Sequence, residues 1–334
     1  MRVALHDPDL GYYARNVRTV GPRGDFSTSA TLHPALGEAV AAWAAARRKE
    51  LLGGGPASWN LIEMGPGTGE LARAVLDALP LLARRSASLH LVETSPVLRE
   101  AQRVRLGNRA TWHATMEEAL AACGGRAIVY ASELLDAFPV RVLRRRSEGW
   151  DELWISLNGD ECREEWRSAS SERLEGPAAD GDDSSPFSAL SRAWPEGQRV
   201  EIAPAVREFF LSKNSSLLLG SFLLLDYGDT IETLYSRRPN GTVRGYAHHL
   251  RLEGADLYAN AGLADVTADV NFTDVAAWAR DAGFEPGPLE TQGDFLERHV
   301  KGANARAARE PALAFLLDRR GAGGGFKALE LLRR

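Results

Sequence analysis

The sequence has few cysteines and no long hydrophobic run, and both features exclude whole classes of protein. Its 334 residues include only two cysteines, Cys123 and Cys162, too few for a disulfide framework or a cysteine-rich zinc site. No apolar stretch approaches the ~20 residues that a helix needs to cross a bilayer. Residues 1–8 contain neither a hydrophobic signal stretch nor an Arg- and Ser-rich amphipathic run. We therefore expect a cytoplasmic protein without membrane insertion.

An excess of charge of one sign is also absent. The chain carries 40 basic and 45 acidic residues, a net charge of −5, so the sequence does not predict a general nucleic-acid-binding surface. The apolar fraction of 44% and the aromatic fraction of 8% are typical of a soluble protein with a full core and argue against disorder. Because the length exceeds one average domain, we expect two compact units or one enlarged unit. The composition as a whole favours a globular enzyme.

Short apolar strands alternate with amphipathic helices in the first half of the chain. The predicted strands are 60–64, 89–93, 110–113 and 126–131, and the predicted helices are 32–49, 70–82 and 96–106. This alternation predicts an α/β fold with a parallel sheet and helices on both faces. Residues 1–30 are rich in Gly, Asp, Tyr and Ser/Thr, which is typical of a loop.

The pattern changes after Asp136. Residues 140–143 and 150–157 are typical of antiparallel strands, and residues 167–190 have the composition of a mobile excursion. Residues 217–226 form an apolar run that predicts another central strand. We assign residues 1–140 to an N-terminal segment and a Rossmann-like core, 141–210 to inserted strands and a mobile loop, and 211–334 to the rest of the core with a substrate-covering lobe.

The run Glu63-Met64-Gly65-Pro66-Gly67-Thr68-Gly69 is the most informative motif. Glycines at alternate positions after a buried strand let the backbone turn tightly and approach a ligand, and the helix that follows offers free N–H groups. The spacing differs from the dinucleotide fingerprint G-x-G-x-x-G. With Glu63 two residues before the first glycine, it is similar to the first motif of Rossmann-like methyltransferases that use S-adenosylmethionine (SAM), in which the acid lies near the amino group of the ligand.

A second acid, Glu93, ends the next predicted strand, 24 residues after Gly69. A carboxylate at this strand end can accept hydrogen bonds from both hydroxyls of a cofactor ribose. Glu93 is compatible with either SAM or NAD, so only the glycine spacing and Glu63 favour SAM. The structural alternative is that the glycines form a plain turn and that Glu93 caps the helix beginning at Pro96.

Further motifs, spread over nearly the whole chain, resemble the MidA family of SAM-dependent methyltransferases. They are His6-Asp7-Pro8-Asp9-Leu10-Gly11-Tyr12-Tyr13, Gly24-Asp25-Phe26-Ser27-Thr28-Ser29, Leu91–Pro96 with Gln102, Ser132–Val140, Leu225–Gly228, Gly241–Tyr246, Asp265–Phe272 and Thr291–Leu296. The resemblance implies a Rossmann-like SAM-dependent methyltransferase sheet with helices on both faces, plus an inserted α+β substrate lobe. Mitochondrial members of the family are complex I assembly factors that methylate an arginine of a partner subunit, so the resemblance also implies a protein substrate.

The chain departs from the family pattern in places. Ser132 stands where the family usually has Asn, Ala30-Thr31 where it has Pro-Glu, and Asp269-Val270-Asn271 where it has His-Val-Asp. Ser132 keeps a short polar group beside Glu133, so we expect catalysis to be retained. We expect the change at Ala30-Thr31 to affect the substrate loop more than the binding of the cofactor.

The resemblance also implies further contacts with SAM. Phe26 and Thr28 belong to a loop expected to fold over the cofactor, and Thr94 and Ser132 follow or end two of the predicted strands. Met116-Glu117 lies after the third strand, where methyltransferases contact the adenine. In the structural alternatives, Ser29 or Thr31 caps a helix, and Met116-Glu117 is simply a first helical turn.

Glu133 and Asp136 are the candidate catalytic residues. Both follow the predicted strand 126–131, at the carboxyl edge where such folds bind ligands. A guanidinium is a poor nucleophile while its charge is delocalised, and carboxylates can orient it through paired hydrogen bonds that favour charge on the distant nitrogens. The alternative is that Glu133 caps the next segment and that Asp136 fixes the loop before Pro139.

Several polar residues in the second half of the chain could contribute to a metal site or to a substrate site. Adjacent histidines, His248 and His249, point to opposite faces of a strand, and no second cluster has ligand spacing, so we assign no metal. Tyr246 and His249 are expected to line a substrate channel. The run Asp226-Tyr227-Gly228 ends a predicted strand, where it fits loop anchoring or substrate contact.

Taken together, the residues and the resemblance predict a SAM-dependent methyltransferase. The resemblance, rather than the motifs themselves, indicates arginine of a protein partner as the methyl acceptor. The alternatives are methylation of a small molecule, an assembly factor that binds SAM without turnover, and an NAD-linked oxidoreductase.

Overall fold

The computed structural model describes residues 1–15, 29–52, 57–159, 161–169, 193–213, 216–247 and 250–334. The chain divides into two compact units. The first unit comprises Met1–Asn16, Leu135–Phe209 and Gly228–Trp278, and the second comprises Val17–Leu134, Phe210–Tyr227 and Ala279–Arg334. Each unit is therefore assembled from segments that are distant in sequence, and the predicted segment 211–334 is divided between the two.

The regular elements are numbered here in chain order. The strands are β1 Trp59–Met64, β2 Ala87–Val92, β3 Ala110–His113, β4 Arg126–Ser132, β5 Arg141–Arg145, β6 Trp150–Asn158, β7 Glu161–Ser168, β8 Arg199–Ile202, β9 Leu219–Asp229, β10 Arg244–Ala247, β11 Leu250–Leu252, β12 Asp265–Thr267, β13 Val270–Asn271, β14 Glu285–Pro286, β15 Glu290–Thr291 and β16 Phe326–Arg333.

The helices vary from single turns to a long helix in the second unit. They are α1 Arg2–His6, α2 Tyr12–Arg15, α3 Ser29–Leu32, α4 Ala35–Leu51, α5 Glu70–Ala78, α6 Leu81–Ser86, α7 Pro96–Leu106, α8 Met116–Ala122, α9 Pro204–Glu208, α10 Ile231–Ser236, α11 Gly254–Ala259, α12 Phe272–Asp281, α13 Gln292–His299, α14 Ala303–Ala307, α15 Pro311–Leu317 and α16 Ala322–Gly325, with a 3₁₀ turn at Leu135–Ala137 and a π-helical turn at Phe209–Lys213. In the described part of the chain, none of these helices combines the length and the apolarity needed to cross a membrane.

The second unit is built on a mostly parallel sheet. Its strands follow the order β14-β16-β9-β4-β1-β2-β3. From β9 to β3 each neighbouring pair is parallel, whereas β16 runs antiparallel to β9. Helices α4, α5 and α13 pack with the strands into one buried apolar cluster. This confirms the predicted α/β sheet flanked by helices.

Burial explains why the sequence predicts these strands so directly. In β1 every residue except Asn60 is buried, so both faces of the strand are covered, and four of its six side chains are apolar, as is usual for parallel strands of this kind. The parallel order places the carboxyl ends of β1, β2, β3 and β4 at one edge of the sheet, and ligands bind at this edge in open α/β sheets.

The first unit contains antiparallel sheets and short helices. One sheet has the order β7-β6-β5-β8 and another has the order β11-β10-β12. Pairing of Leu143 with Glu152 confirms the predicted antiparallel strands after Asp136. Helix α10 packs on β5 and β8 through a buried cluster that includes Leu143, Val200 and Leu234. Most of the predicted excursion, residues 170–190, lies outside the described residues.

Two predictions of local structure are wrong. Residues 1–30 were expected to be loop, but α1, α2 and α3 are helical, because single helical turns are too short to show a periodic pattern. The predicted helix 70–82 is interrupted, since Leu79 has an extended backbone (φ −57°, ψ 137°) before Pro80. Proline lacks an N–H group and disfavours a helical conformation at the residue before it.

Candidate active site

The glycine-rich run after β1 forms a turn with bare backbone at its centre. Gly65, Gly67 and Gly69 have φ values of +61°, +52° and +81°, a region that other residues rarely adopt. A Cβ atom at Gly65 would lie 2.9 Å from Leu134 Cδ1, whereas one at Gly67 would meet no described atom within 4 Å. The turn is therefore closed on one side and open at Gly67, where a ligand can approach the main chain.

Glu93 directly follows β2 at the same sheet edge. Its side chain is 8% exposed; Oε1 accepts a hydrogen bond from the Ser95 N–H (2.7 Å) and Oε2 accepts one from Gln102 Nε2 (3.3 Å). Ser95 in turn caps α7 by accepting from the Leu98 N–H. The structural alternative predicts that Glu93 caps α7, but the N-cap residue is Ser95, and Glu93 accepts a hydrogen bond from the N–H of that residue. This bond does not exclude a ribose contact, since each carboxylate oxygen can accept a second hydrogen bond.

The pKa of the Glu93 carboxyl is raised above its usual value. Burial raises the pKa of this carboxyl, while hydrogen bonds from Ser95, Gln102 and Thr94 and the nearby charge of Arg99 lower it. Arg99 directs its own donors at main-chain oxygens: Nε at the Glu93 carbonyl (2.7 Å) and a terminal nitrogen at the His113 carbonyl (3.0 Å). The carboxylate is therefore held by neutral donors.

Glu63, the acid before the glycine turn, is 2% exposed in the middle of the sheet. The hydroxyl of Tyr130 on β4 donates to Glu63 Oε2 at 2.8 Å. Burial raises the pKa of Glu63 to about 8, and the Tyr130 bond opposes this shift. The protonated form of the carboxyl is therefore favoured near neutral pH, and a cation placed next to it would favour the ionised form.

Met116 and Glu117 open helix α8, as the helical alternative predicts. Thr115 caps this helix by accepting from the Glu118 N–H (3.2 Å). However, Glu117 Oε2 is buried and has no hydrogen-bond partner among the described residues. Because buried polar atoms in proteins are nearly always paired, this oxygen fits a donor group of a ligand.

The structure describes two of the other four residues that were predicted to contact the cofactor. Thr94 is exposed just after β2, and Ser132 is the last residue of β4 and pairs with Leu225 of β9. Both therefore lie at the carboxyl edge of the sheet. Phe26 and Thr28 lie outside the described residues, so their contacts stay predictions.

Glu133 has an unusual backbone conformation. Among the described residues it is the one non-glycine residue with a positive φ, +54°. Its N–H donates to the Leu225 carbonyl (2.9 Å), and its Oε1 accepts from the N–H of Ser29, the first residue of α3. The next N–H, of Leu134, donates to the buried carboxylate of Asp226 (3.1 Å). Such a conformation costs free energy and clusters at functional sites.

Asp136, the other catalytic candidate, belongs to the first unit. Its Oδ2 accepts from the Thr267 hydroxyl (2.9 Å), and its carbonyl accepts from the Ala268 N–H (3.1 Å). Tyr13 donates its hydroxyl hydrogen to Asp265 (2.9 Å), and burial with the charges of Asp265 and Asp136 raises the Tyr13 pKa. These contacts match the loop-fixing alternative for Asp136, while its role toward substrate stays a prediction.

The remaining hypotheses concern β10 and its surroundings. Tyr246 accepts a hydrogen bond from Arg244 Nε (2.9 Å), and Arg244 and Arg238 both pair with Asp269. Asp269, one of the residues that depart from the resemblance, therefore belongs to an ion cluster. His248 and His249 lie outside the described residues. No group of three or more potential metal ligands occurs in the part of the chain that the structure describes.

Two contributors to the site were not predicted from the sequence. Tyr130 gave no signal, because a tyrosine in a buried strand resembles any core aromatic residue. Gln102 belongs to one of the family motifs, but its bonds to Gly67 and Glu93 depend on the packing of α7 against the glycine turn.

The described residues of the second unit fit a nucleoside cofactor such as SAM. Gly67 leaves open space beside the main chain, Glu93 offers carboxylate oxygens at the adjacent strand end, and Glu117 has an orphaned buried oxygen. All three follow parallel strands at their carboxyl ends, the usual ligand edge of such sheets.

Comparison with known proteins agrees with this fit. Residues 39–287 match the family model of S-adenosyl-L-methionine-dependent methyltransferases called Methyltransf_28. Two mitochondrial relatives are named as homologues of the protein arginine methyltransferase NDUFAF7. The one from Caenorhabditis elegans is 29% identical over 333 residues, and the one from Drosophila melanogaster is 30% identical over 328 residues; each alignment covers 89% of this chain and 70% of the relative.

A solved structure shares the fold over almost the entire length. It is a COG1565 superfamily member from Burkholderia thailandensis bound to S-adenosylhomocysteine, with a TM-score of 0.84 and 24% identity, covering 99% of this chain and 86% of that chain. The family match distinguishes SAM from NAD, which Glu93 alone left open. The chain belongs to the Methyltransf_28 family of SAM-dependent methyltransferases.

Proposed function

We propose that this methyltransferase modifies an arginine side chain of a protein partner. The relatives that are named protein arginine methyltransferases are only 29% and 30% identical, so their names support the acceptor without establishing it. The structural observation that carries the proposal is Glu133, a carboxylate held in a left-handed conformation at the carboxyl end of β4. Leu134, the next residue, packs beside Gly65 of the cofactor turn.

Glu133 suits the recognition of a guanidinium. When bound, SAM supplies an electrophilic methyl group. The carboxylate of Glu133 would accept hydrogen bonds from two guanidinium nitrogens, orienting the group and drawing its positive charge away from the nitrogen to be methylated. The nitrogen that gains the methyl group would release one proton, for which the Glu133 carboxylate would be one acceptor. The bond from the Ser29 N–H (3.3 Å) limits the directions in which the carboxylate can turn.

The contacts with SAM are part of the same proposal. Gly65, Gly67 and Gly69 would give the main chain access to the cofactor, Glu63 would face its amino group, Glu93 its ribose, and Met116-Glu117 its adenine. Thr94, Ser132, Phe26 and Thr28 complete the proposed set. Asp136 is proposed as a second substrate residue, and a cytoplasmic location stays a prediction.

Transfer of radioactive label tests the acceptor. The purified protein is incubated with methyl-labelled SAM and an extract from cells that lack the gene, and the labelled protein fraction is hydrolysed to amino acids. We expect label in methylarginine. Label confined to small metabolites would favour the small-molecule alternative, and tight SAM binding without any transfer would favour an assembly factor without turnover; either result overturns the proposal.

Two variants test the roles of the two candidate carboxylates in methyl transfer. Glu133→Gln keeps the size of the side chain but removes its charge, so we expect SAM affinity to persist and transfer to fall. Asp136→Asn tests the second carboxylate separately, since its bond from Thr267 can be kept by the amide oxygen. Transfer at the wild-type rate by Glu133→Gln would remove Glu133 from the proposed mechanism.

A further inference from the structure

The side chain of Gln102 connects three elements around the cofactor turn. It is 0% exposed on α7. Its Nε2 donates to the Gly67 carbonyl at 2.7 Å and to Glu93 Oε2 at 3.3 Å, and its Oε1 accepts from Trp112 Nε1 at 2.9 Å. The glycine turn, the end of β2 and strand β3 are thus joined through one amide group.

Trp112 determines which way this amide points. An indole nitrogen can only donate a hydrogen bond, so the atom of Gln102 that faces it must be the oxygen. The NH₂ group of Gln102 then points away from Trp112, towards its two acceptors, the Gly67 carbonyl and Glu93 Oε2. Both of its hydrogens have a partner, and the whole amide is satisfied without water.

Both acceptors of Gln102 belong to residues that are proposed to contact SAM. Gly67 is the open position of the turn, and Glu93 is the acid at the neighbouring strand end. We propose that Gln102 is a positioning residue for SAM, which fixes the Gly67 peptide and the Glu93 carboxylate relative to each other before the cofactor binds. The proposal rests in part on the proposed ribose contact of Glu93.

Preorganisation of this kind increases affinity because the free protein already holds the bound geometry. The geometry also affects protonation of Glu93. Burial raises its pKa, and the bond from Gln102 is among the contacts that lower it, with the Ser95 and Thr94 N–H groups and the charge of Arg99. Without Gln102, Glu93 would take up a proton at higher pH and cease to accept two ribose hydrogen bonds.

The test compares a near-isosteric variant with a matched control. Gln102→Met fills the same space but lacks the donors and the acceptor. Gln198→Met is the control, because Gln198 is also buried and its Nε2 also donates to two main-chain carbonyls, those of Arg199 and Arg238, but in the first unit. SAM affinity is measured by calorimetry from pH 5 to 8, and the melting temperature by scanning calorimetry.

We expect Gln102→Met to weaken SAM binding about ten- to hundred-fold and to move the acid limb of affinity to higher pH. We expect Gln198→Met to lower the melting temperature without changing SAM affinity. Wild-type affinity and an unchanged pH profile in Gln102→Met would overturn the proposal, whatever happens to its melting temperature.

Trp112→Phe keeps the test decisive if Gln102→Met fails to fold. This variant removes the donor that orients the amide and keeps a smaller aromatic ring in its place, so we expect a smaller loss of SAM affinity and a shift of the acid limb in the same direction; no change in either would contradict the proposal. Glu93→Ala separates the two hypotheses. Undiminished SAM affinity in Glu93→Ala would refute the ribose contact itself, whereas a loss there with no effect of Trp112→Phe would refute only the role of Gln102.

Discussion

Tyr130 and Glu63 form a hydrogen bond of 2.8 Å between two adjacent parallel strands of the second unit. Both side chains are buried, at 0% and 2% exposure. An acid in such a position is costly to ionise, and burial raises the Glu63 pKa to about 8. The carboxyl before the glycine turn is therefore expected to be protonated at neutral pH.

The raised pKa of Glu63 predicts a pH-dependent stability. The folded state holds this proton more tightly than the unfolded chain, where the pKa is 4.5, so the contribution to stability is fully present below pH 4.5 and is lost as the pH rises through about 8. In that window the free energy of unfolding should fall by up to ~1.4 kcal/mol per pH unit. Urea denaturation of wild type and Glu63→Gln measures the difference; parallel pH curves would contradict the assignment.

The same residue predicts proton release when SAM binds. If the amino group of the cofactor lies at Glu63, its positive charge should ionise the carboxyl and lower its pKa below neutrality. Calorimetric titrations at pH 7 in buffers with different heats of ionisation count the released protons. We expect release by the wild type and a smaller value for Glu63→Gln, and equal values in the two proteins would place the amino group elsewhere.

Two substitutions distinguish the backbone strain at Glu133 from the chemical role of its carboxylate. Glu133→Ala and Glu133→Gly both lose the carboxylate and its bond to Ser29, but only glycine tolerates φ +54° without strain. We therefore expect Glu133→Gly to be more stable than Glu133→Ala by ~1 kcal/mol, measured by urea denaturation. Both should lose methyl transfer by roughly 100-fold while binding SAM. An alanine variant as stable as the glycine variant would show that the conformation is not strained.

Asp226 is predicted to support the segment after Glu133. Its carboxylate is 2% exposed and accepts from the N–H groups of Leu134 (3.1 Å) and Tyr227 (2.9 Å). Asp226→Ala leaves these partly buried donors without that acceptor and should cost ~1–3 kcal/mol of unfolding free energy, whereas Asp226→Asn keeps an acceptor oxygen and should lose less. Equal stability of the two variants would exclude these bonds as the cause.

The features predicted from the sequence are those set by neighbouring residues. The strand, the glycine turn and the helix from Trp59 to Ala78 follow from a buried, mostly apolar segment, from closely spaced glycines and from an amphipathic segment. Strand β2 with Glu93 at its end follows in the same way. The helix break at Pro80 was missed, although its cause is also local, because the apolar pattern continues through the proline.

The features that were missed depend on residues far apart in the chain. The conformation of Glu133 is held by Leu225 and Asp226 of β9, roughly 90 residues later, and no local pattern encodes it. Gln102 acquires its role only when α7 packs beside Gly67. The division into two units is likewise non-local, since each unit is assembled from three separate segments.

The central claim is that the cofactor occupies the open side of Gly67. Gly124 provides a matched control, because it also has a positive φ (+59°) and open space for a Cβ, but it precedes β4 at the opposite edge of the sheet. Leucine at either position meets the same backbone strain, and only at Gly67 would it fill cofactor space.

Calorimetric titration of S-adenosylhomocysteine into Gly67→Leu and Gly124→Leu is the most direct test of this claim. The account predicts at least about a tenfold loss of affinity, or ~1.4 kcal/mol of binding free energy, for Gly67→Leu, and wild-type affinity for Gly124→Leu. Binding to Gly67→Leu as tightly as to the wild type would contradict it.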